Sequence, residues 1–391
     1  MATKANKNSK FATRQFDFIL LIAVIILLAL GLIMVLSASS PSALATGDDS
    51  YFYFRRQGLF AIAGIIAMLF ISKIDYRKYK KFGKLAYVGS IILLLMVLIP
   101  HIGVEAGGAK RWIKLGIQFQ PSEIAKIGLI VFYAVYLSNH IKEIGEFKKG
   151  FIKPLLILVP IILILVLVQD HLSATIIIIM VIAIMMLTAG SKLRYFLTFG
   201  TLGAAGGGIG LYLLAKFTEK GAFRIARITS FLNPWADKQG DGWQIIQSLY
   251  AIGSGGLFGV GLGESKQKYL YISEPHNDFI FAVLAEELGF IGCAIVVILF
   301  AIFIWRGILI AMKAPDTFGS LLAIGITSLV GLQAIINIAV VTSSMPVTGM
   351  PLPFFSYGGT SLLILLCCVR SIAEYIQSWF KSITKENWRY K

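Results

Sequence analysis

The sequence predicts an all-α polytopic membrane protein: about ten transmembrane helices, with a large extracytoplasmic loop between helices 7 and 8. Three observations carry that expectation. Of the 391 residues, 57% are hydrophobic and only 14% charged, where a soluble domain carries about 25% charge. Apolar runs of about 20 residues recur along the whole length, and each is long enough to cross roughly 30 Å of hydrocarbon as a helix that satisfies its own backbone hydrogen bonds. Finally, Lys and Arg collect in short segments between the runs, which is a topology signal. The net charge of +16 is therefore read as membrane orientation, and nucleic acid is set aside as a partner.

The spans are expected at 18–38, 57–72, 85–100, 121–138, 152–169, 172–190, 195–215, 279–305, 318–343 and 357–379. Residues 1–16 form a polar, basic cytoplasmic tail, expected to be disordered. The first run is too long for a cleavable signal peptide and lacks a small-residue cleavage site, so it stays as the first helix. The fourth opens on Pro121-Ser122-Glu123, a helix start with proline and a carboxylate in the first turn. Only Asp170-His171 separates the fifth from the sixth, so these two form a tight hairpin. The seventh contains Gly203–Gly210, read as small-residue helix packing. Residues 17–380 make one ten-helix domain, with 216–278 as its large outer loop and 381–391 as a second cytoplasmic tail. Basic residues are denser on the segments that share a side with the N-terminus, which places both termini in the cytoplasm. The loops at 101–120, 216–278 and 344–356 then share the outer face, and the unusual residues lie there.

Cys293, Cys367 and Cys368 sit within apolar runs and read as buried small hydrophobes. His101, His140, His171 and His276 are scattered, so no metal site is expected. Arg111 offers a planar fork suited to phosphate oxygens, beside Lys114. Trp112 reads first as an interfacial anchor. Glu123 and Lys126 share a helix face. A charge inside an apolar span, as Lys126 is, points to function by default. Arg224 and Arg227 share a face if their stretch is helical. They would suit a pyrophosphate or, equally, lipid head groups. Gln244, Gln247 and Ser248 fit a helix lying on the membrane surface. The run Gly253–Gly263 lacks the spacing of a nucleotide loop and reads as a loop packed closely on helices.

Pro275-His276-Asn277-Asp278-Phe279 lies where the long loop meets an apolar helix. Asp278 is a candidate carboxylate at the aqueous edge, crowded by His276 and Glu274, although Asn277 and Asp278 are also good N-caps. Glu286 and Glu287 lie about 12 Å deeper along that helix and need partners, for which Lys126 and Arg111 are candidates. Gln333 and Asn337, four apart, face the bundle interior. Pro346–Ser361, with three prolines, cannot be helical and is expected to re-enter the membrane edge as a rigid, polar-lined wall that includes Ser356.

Taken in order, several motifs resemble the SEDS family of bacterial cell-wall proteins (FtsW/RodA/SpoVE). They are Gly108–Trp112, Gln120–Glu123, Phe231–Trp235, Gln247-Ser248 with Gly253–Gly256, His276–Phe281, Glu286–Gly289 and Pro346–Ser361. The wording of the last is most like the division and sporulation branch. Gln169-Asp170-His171-Leu172-Ser173 departs from the family's Gln-Pro-Asp-Leu-Gly, and no role is transferred to Asp170. The resemblance implies a ten-helix fold in the cytoplasmic membrane and peptidoglycan glycosyltransferase activity on lipid II. It also implies a class B penicillin-binding protein as transpeptidase partner, surrounded by membrane lipids. The family's catalytic acid falls on Asp278. With that role, Arg111, Arg224 and Arg227, together with Lys114 and Lys126, stabilise the departing pyrophosphate, and His276, Glu123 and Ser356 line the substrate. Trp112, Glu286, Glu287, Gln333 and Asn337 support the site. No cofactor is required, and a divalent cation at the pyrophosphate is left open. Two rival readings also stay open here: a lipid II flippase or other carrier, and a non-catalytic scaffold for a penicillin-binding protein. Transport predicts working charges at the midplane and both faces; catalysis predicts them clustered outside.

Overall fold

The computed structural model describes residues 17–71, 74–106, 108–218, 225, 229–238, 240, 242–269 and 271–373. Among them, eight helices are long and apolar enough to cross a membrane, and Leu172–Thr188 and Gly359–Val369 are shorter apolar helices. These correspond in order to the ten expected spans. The first is α1 (Phe18–Ala45), started by Asp17, whose side chain accepts from the Leu20 amide at 2.9 Å. Arg306 grips the same carboxylate, with Nη2 2.6 Å from Oδ2. After α2 (Phe52–Ile71), a 3-10 turn at Tyr76–Phe82 leads into α3 (Gly83–Leu95).

The 101–120 loop is not irregular. It forms an antiparallel meander, β1 (Gly103–Ala106), β2 (Ala109–Leu115) and β3 (Ile117–Phe119). Leu115 pairs with Ile117 across Gly116, whose φ of 73° is natural only for glycine. The sheet pairs backbone groups that would otherwise face a partly apolar surface unsatisfied.

Next come α4 (Pro121–Asn139), α5 (Lys153–Leu163, extended by π turns on both sides), α6 (Leu172–Thr188) and α7 (Leu193–Phe217). The expectation that Gly203–Gly210 serves close helix packing is not met. A Cβ on Gly203, Gly206, Gly207, Gly208 or Gly210 would meet nothing within 4 Å. In contrast, α8 (Trp243–Gly255) is anchored to the bundle, with Ser248 Oγ donating to the Val341 carbonyl at 2.7 Å.

The last spans are α9 (Ile280–Met312), α10 (Thr317–Val341) and α11 (Gly359–Ala373). The bundle is held by α2 against α11, α3 against α4, and α10 against α4, α6 and α9. The expected single eighth helix is broken. Gly289 has φ 65° and ψ −166°, and the loop after α8 repairs the break. The amides of Val260 and Gly261 donate to the carbonyls of Glu286 and Glu287, while those of Phe290 and Ile291 donate to Gly256 and Leu257. This exchange supplies the partners that an interrupted helix in hydrocarbon requires. It also explains two glycines of the Gly253–Gly263 run: a Cβ on Gly255 would lie 2.0 Å from the Ala285 carbonyl oxygen, and one on Gly259 2.1 Å from that of Glu287. The expectation of close packing holds at these two positions, while Gly253, Gly256 and Gly263 are open and the run's first three residues belong to α8.

Candidate active site

One end of the bundle carries the meander, the α5–α6 hairpin, the loop before α9 and the proline-rich segment before α11. These elements are tied together there. Ser173 donates to the Thr348 carbonyl, Arg111 reaches the carbonyls of Gln169 and Asp170 at 3.1 and 2.6 Å, and the Tyr357 amide donates to the His276 carbonyl at 2.8 Å. Between them lies a cavity of about 460 Å³ whose wall includes Arg56, Arg111, Glu123, His276, Asp278 and Ser356.

Asp278 lies two residues before α9, and its main chain is fixed from across the bundle. Asn337 Nδ2 donates to the Asp278 carbonyl at 2.8 Å and to that of Met350 at 2.6 Å. Ser356 Oγ donates to the Asn277 carbonyl and accepts from the Leu352 amide, both at 2.7 Å. Gln57 on α2 completes the frame. Its Nε2 donates to the Ser356 carbonyl at 3.2 Å and its Oε1 accepts from the Gly358 amide at 3.1 Å. Gly349, at φ 67°, leaves room before the carboxylate, since a Cβ there would stand 3.4 Å from Asp278 Oδ2. Burial raises the Asp278 carboxyl to about 6, and the nearby Glu274 carboxylate pushes the same way. A carboxylate that ionises near working pH, and is held rigidly at a cavity wall, is suited to accept a proton.

The opposite wall belongs to β2, α4 and the hairpin. Glu123 lines the cavity and pairs with buried Lys126 at 2.7 Å. His171 caps α6, its Nδ1 accepting from the Ala174 amide at 3.0 Å, with Nε2 2.9 Å from the Gln120 amide. Burial and the charges of Arg111 and Lys126 lower its pKa to about 3, so the ring is neutral. With Nδ1 accepting, Nε2 carries the proton, and the Gln120 side-chain nitrogen 2.9 Å away gives that proton an acceptor only when the amide is flipped.

Of the sequence-derived candidates, Asp278, Arg111, Trp112, Glu123, His276, Gln333 and Ser356 meet at this cavity. Lys126 stands behind Glu123, and Asn337 behind Asp278. Lys114 is exposed on β2, away from the lining. Arg224 and Arg227 lie outside the described residues. Glu286 and Glu287 need a correction, because neither partner expected for them is used. Glu287 pairs with Lys268 at 2.9 Å and accepts from Ser37 at 2.6 Å. Glu286 accepts from Ser265 Oγ and from the Lys266 and Gln267 amides. The loop after α8 folds back over the broken helix and brings its own cation, whereas Lys126 is already matched by Glu123.

Tyr53, Arg56 and Gln57 do not stand out in the sequence: an expected start at 57 puts Tyr53 and Arg56 outside the helix and makes Gln57 its first residue, whereas α2 begins at Phe52. A signal is nevertheless present, since a polar Arg-Arg-Gln at the head of an apolar helix marks a face turned to water. As for a metal, no group of three or more His, Cys, Asp or Glu among the described residues could hold one. Of the carboxylates that line the cavity, Glu123 is paired with Lys126 and Glu274 accepts from the Asn277 side chain.

Comparison with known proteins follows the same lines. The family model described as "Cell cycle protein", FtsW/RodA/SpoVE, matches residues 18–377. The chain is 46% identical over 354 residues to "Stage V sporulation protein E" of Bacillus subtilis (strain 168), across 90% of this chain and 94% of that protein. It is 43% identical over 355 residues to "Probable peptidoglycan glycosyltransferase FtsW" of Geobacter sp. (strain M18), across 90% and 95%. Among solved structures, it superposes with a TM-score of 0.77 and 26% identity, over 93% of this chain and 98% of the other, on a chain from work described as "Structural coordination of polymerization and crosslinking by a peptidoglycan synthase complex".

Proposed function

The chain belongs to the FtsW/RodA/SpoVE family, on its division and sporulation side, and from that premise we propose that it is a peptidoglycan glycosyltransferase that polymerises lipid II. The carrying observation is a rigidly framed Asp278, raised toward neutrality at the wall of a cavity that also holds arginines. Asp278 takes the proton of an acceptor N-acetylglucosamine 4-hydroxyl as that oxygen attacks the donor's anomeric carbon. Undecaprenyl pyrophosphate leaves from the opposite face, so the anomeric centre inverts. Arg111, with Arg224 and Arg227 from the long loop, balances the charge that grows on the leaving group; Lys114 lies away from the cavity and Lys126 acts only through Glu123. No step is routed through a metal.

The cavity end faces outward in the cytoplasmic membrane, with both termini in the cytoplasm, in keeping with the basic inner segments. The 17–380 region acts as one ten-helix domain between short cytoplasmic tails. A class B penicillin-binding protein supplies the crosslinking step, as the synthase complex of the structural relative suggests. A translocation path finds less support, because Glu286 and Glu287 are engaged by the loop after α8 and by Ser37 of α1. The deciding experiment presents labelled lipid II to the purified chain, alone and with such a partner. Glycan polymer supports the enzyme; leaflet exchange without polymer makes it a flippase, and neither makes it a scaffold.

A further inference from the structure

The cavity has a second feature that the proton transfer does not use. Tyr53 on α2, His276 in the loop before α9, and Tyr357 ahead of α11 form an aromatic corner that lines it. The Tyr53 and His276 centroids are 4.6 Å apart, and Tyr357 stands edge-on to Tyr53 at 4.9 Å and 89°. Arg56, one turn along α2, places its guanidinium beside the Tyr357 hydroxyl. His276 is 5% exposed, yet its Nδ1 has no hydrogen-bond partner in the protein. Its Nε2 faces the Glu274 carboxylate at 3.6 Å, and burial lowers its pKa. The neutral ring therefore keeps its proton on Nε2 and offers a lone pair at Nδ1.

An aromatic corner with a cation at its rim is matched to a particular ligand chemistry. The face of a pyranose that carries axial C–H bonds is apolar and faintly positive, and it docks on the negative face of a ring. Its hydroxyl and acetamido groups project at the edge, where the tyrosine hydroxyls and Arg56 wait. The geometry points to Tyr53 and Tyr357, backed by the buried His276 ring, as the subsite that binds the acceptor N-acetylhexosamine, with Arg56 holding the sugar's polar edge. The choice of acceptor over donor rests on the glycosyltransferase reading and on chain distance. Asp278 follows His276 by two residues, at most about 7 Å between Cα atoms, and the acceptor hydroxyl is the one it deprotonates.

The test uses the full-length protein in lipid nanodiscs, with lipid-free chitobiose as the probe in saturation-transfer NMR and lipid II polymerisation as the second readout. Wild type should transfer saturation most strongly to the C–H protons of one pyranose face. Tyr53→Leu and Tyr357→Leu should weaken chitobiose binding and raise the half-saturating lipid II concentration roughly tenfold, with a smaller change in maximal rate. Tyr53→Phe and Tyr357→Phe keep the rings and should stay within about twofold in stacking-dependent binding. Asp278→Asn should lose rate yet bind chitobiose as wild type does. Absence of transfer to wild type overturns the subsite whether or not the leucine variants fold. So do folded leucine variants that bind normally, or phenylalanine variants as defective as the leucine ones. Ring-dependent chitobiose binding by a wild type that makes no glycan would keep the subsite and sink the polymerase reading. Polymerisation indifferent to the leucine changes would do the reverse.

Discussion

Replacing Asp278 by Asn isolates the proton-accepting step. The substitution is nearly isosteric, and the bonds that hold this residue run through its main chain: Asn337 donates to its carbonyl, and Ser356 to that of Asn277. Neither is lost, so the frame of the cavity should survive and only the base should disappear. A positioned base contributes about 10²–10⁴-fold, or about 3–5 kcal/mol of transition-state stabilisation. The maximal rate of lipid II polymerisation by purified protein should fall by that factor, with little change in half-saturation. The pH profile gives a second, independent reading. The carboxyl is raised to about 6 in the fold, and only its ionised form accepts a proton. Wild-type rate should therefore drop about tenfold between pH 7 and pH 5, while the residual rate of Asp278→Asn should lack that limb. An asparagine variant that polymerises at the wild-type rate refutes the assignment, as does a wild-type profile flat across this range.

Further outcomes follow from neighbouring groups. Glu274→Gln removes the negative charge that helps raise Asp278, so the acid limb should move to lower pH and activity at pH 5.5 should rise relative to that at pH 7. Lys268→Met strands the buried Glu287 carboxylate and should cost about 3–5 kcal/mol, read as reduced resistance to denaturant in detergent; adding Glu287→Leu should recover most of it. Gly289→Ala places a Cβ 2.3 Å from the Gly259 amide nitrogen at a φ of 65°. It should therefore destabilise by more than about 1 kcal/mol, whereas Gly206→Ala, where a Cβ meets nothing within 4 Å, should be neutral in the same melt.

The spans were legible because hydrocarbon imposes a length and a composition on each helix, and both are written locally. Their ends were not. The first helix was expected to stop at 38, where Ser37, Ser39, Ser40 and Ser42 dilute the apolar run. It continues to Ala45, and the serines that dilute the run are used inside the bundle, Ser37 as a ligand of the buried Lys268–Glu287 pair, a requirement set by residues far away in sequence. The second helix begins five residues before its expected start and so carries Tyr53 and Arg56 to the cavity. The meander escaped notice because β2 is only seven residues long and lies between apolar helices. Asp278 was legible from its position at a loop-to-helix junction. Its frame was not, since Asn337 and Ser356 reach the junction across 59 and 79 residues, and Gln57 reaches Ser356 across 299.

The break at Gly289 bears on how that carboxylate is held. Residues 280–288 form a rod about 13 Å long between Asp278 at one end and Glu286 and Glu287 at the other. A continuous α9 would fix the rod by the packing of the whole span. Because the chain leaves helical geometry at Gly289, the rod is located by its own attachments instead. At the deep end these are the Lys268–Glu287 pair with Ser37, the Glu286 cap on Ser265, and four amides exchanged with the Gly256–Gly261 strip. At the shallow end they are the Asn337 and Ser356 bonds. The costly intramembrane acids thus serve the site without touching it. They convert the loop after α8 into a clamp on the helix that carries the base, and such fixed geometry is what makes a single carboxylate effective.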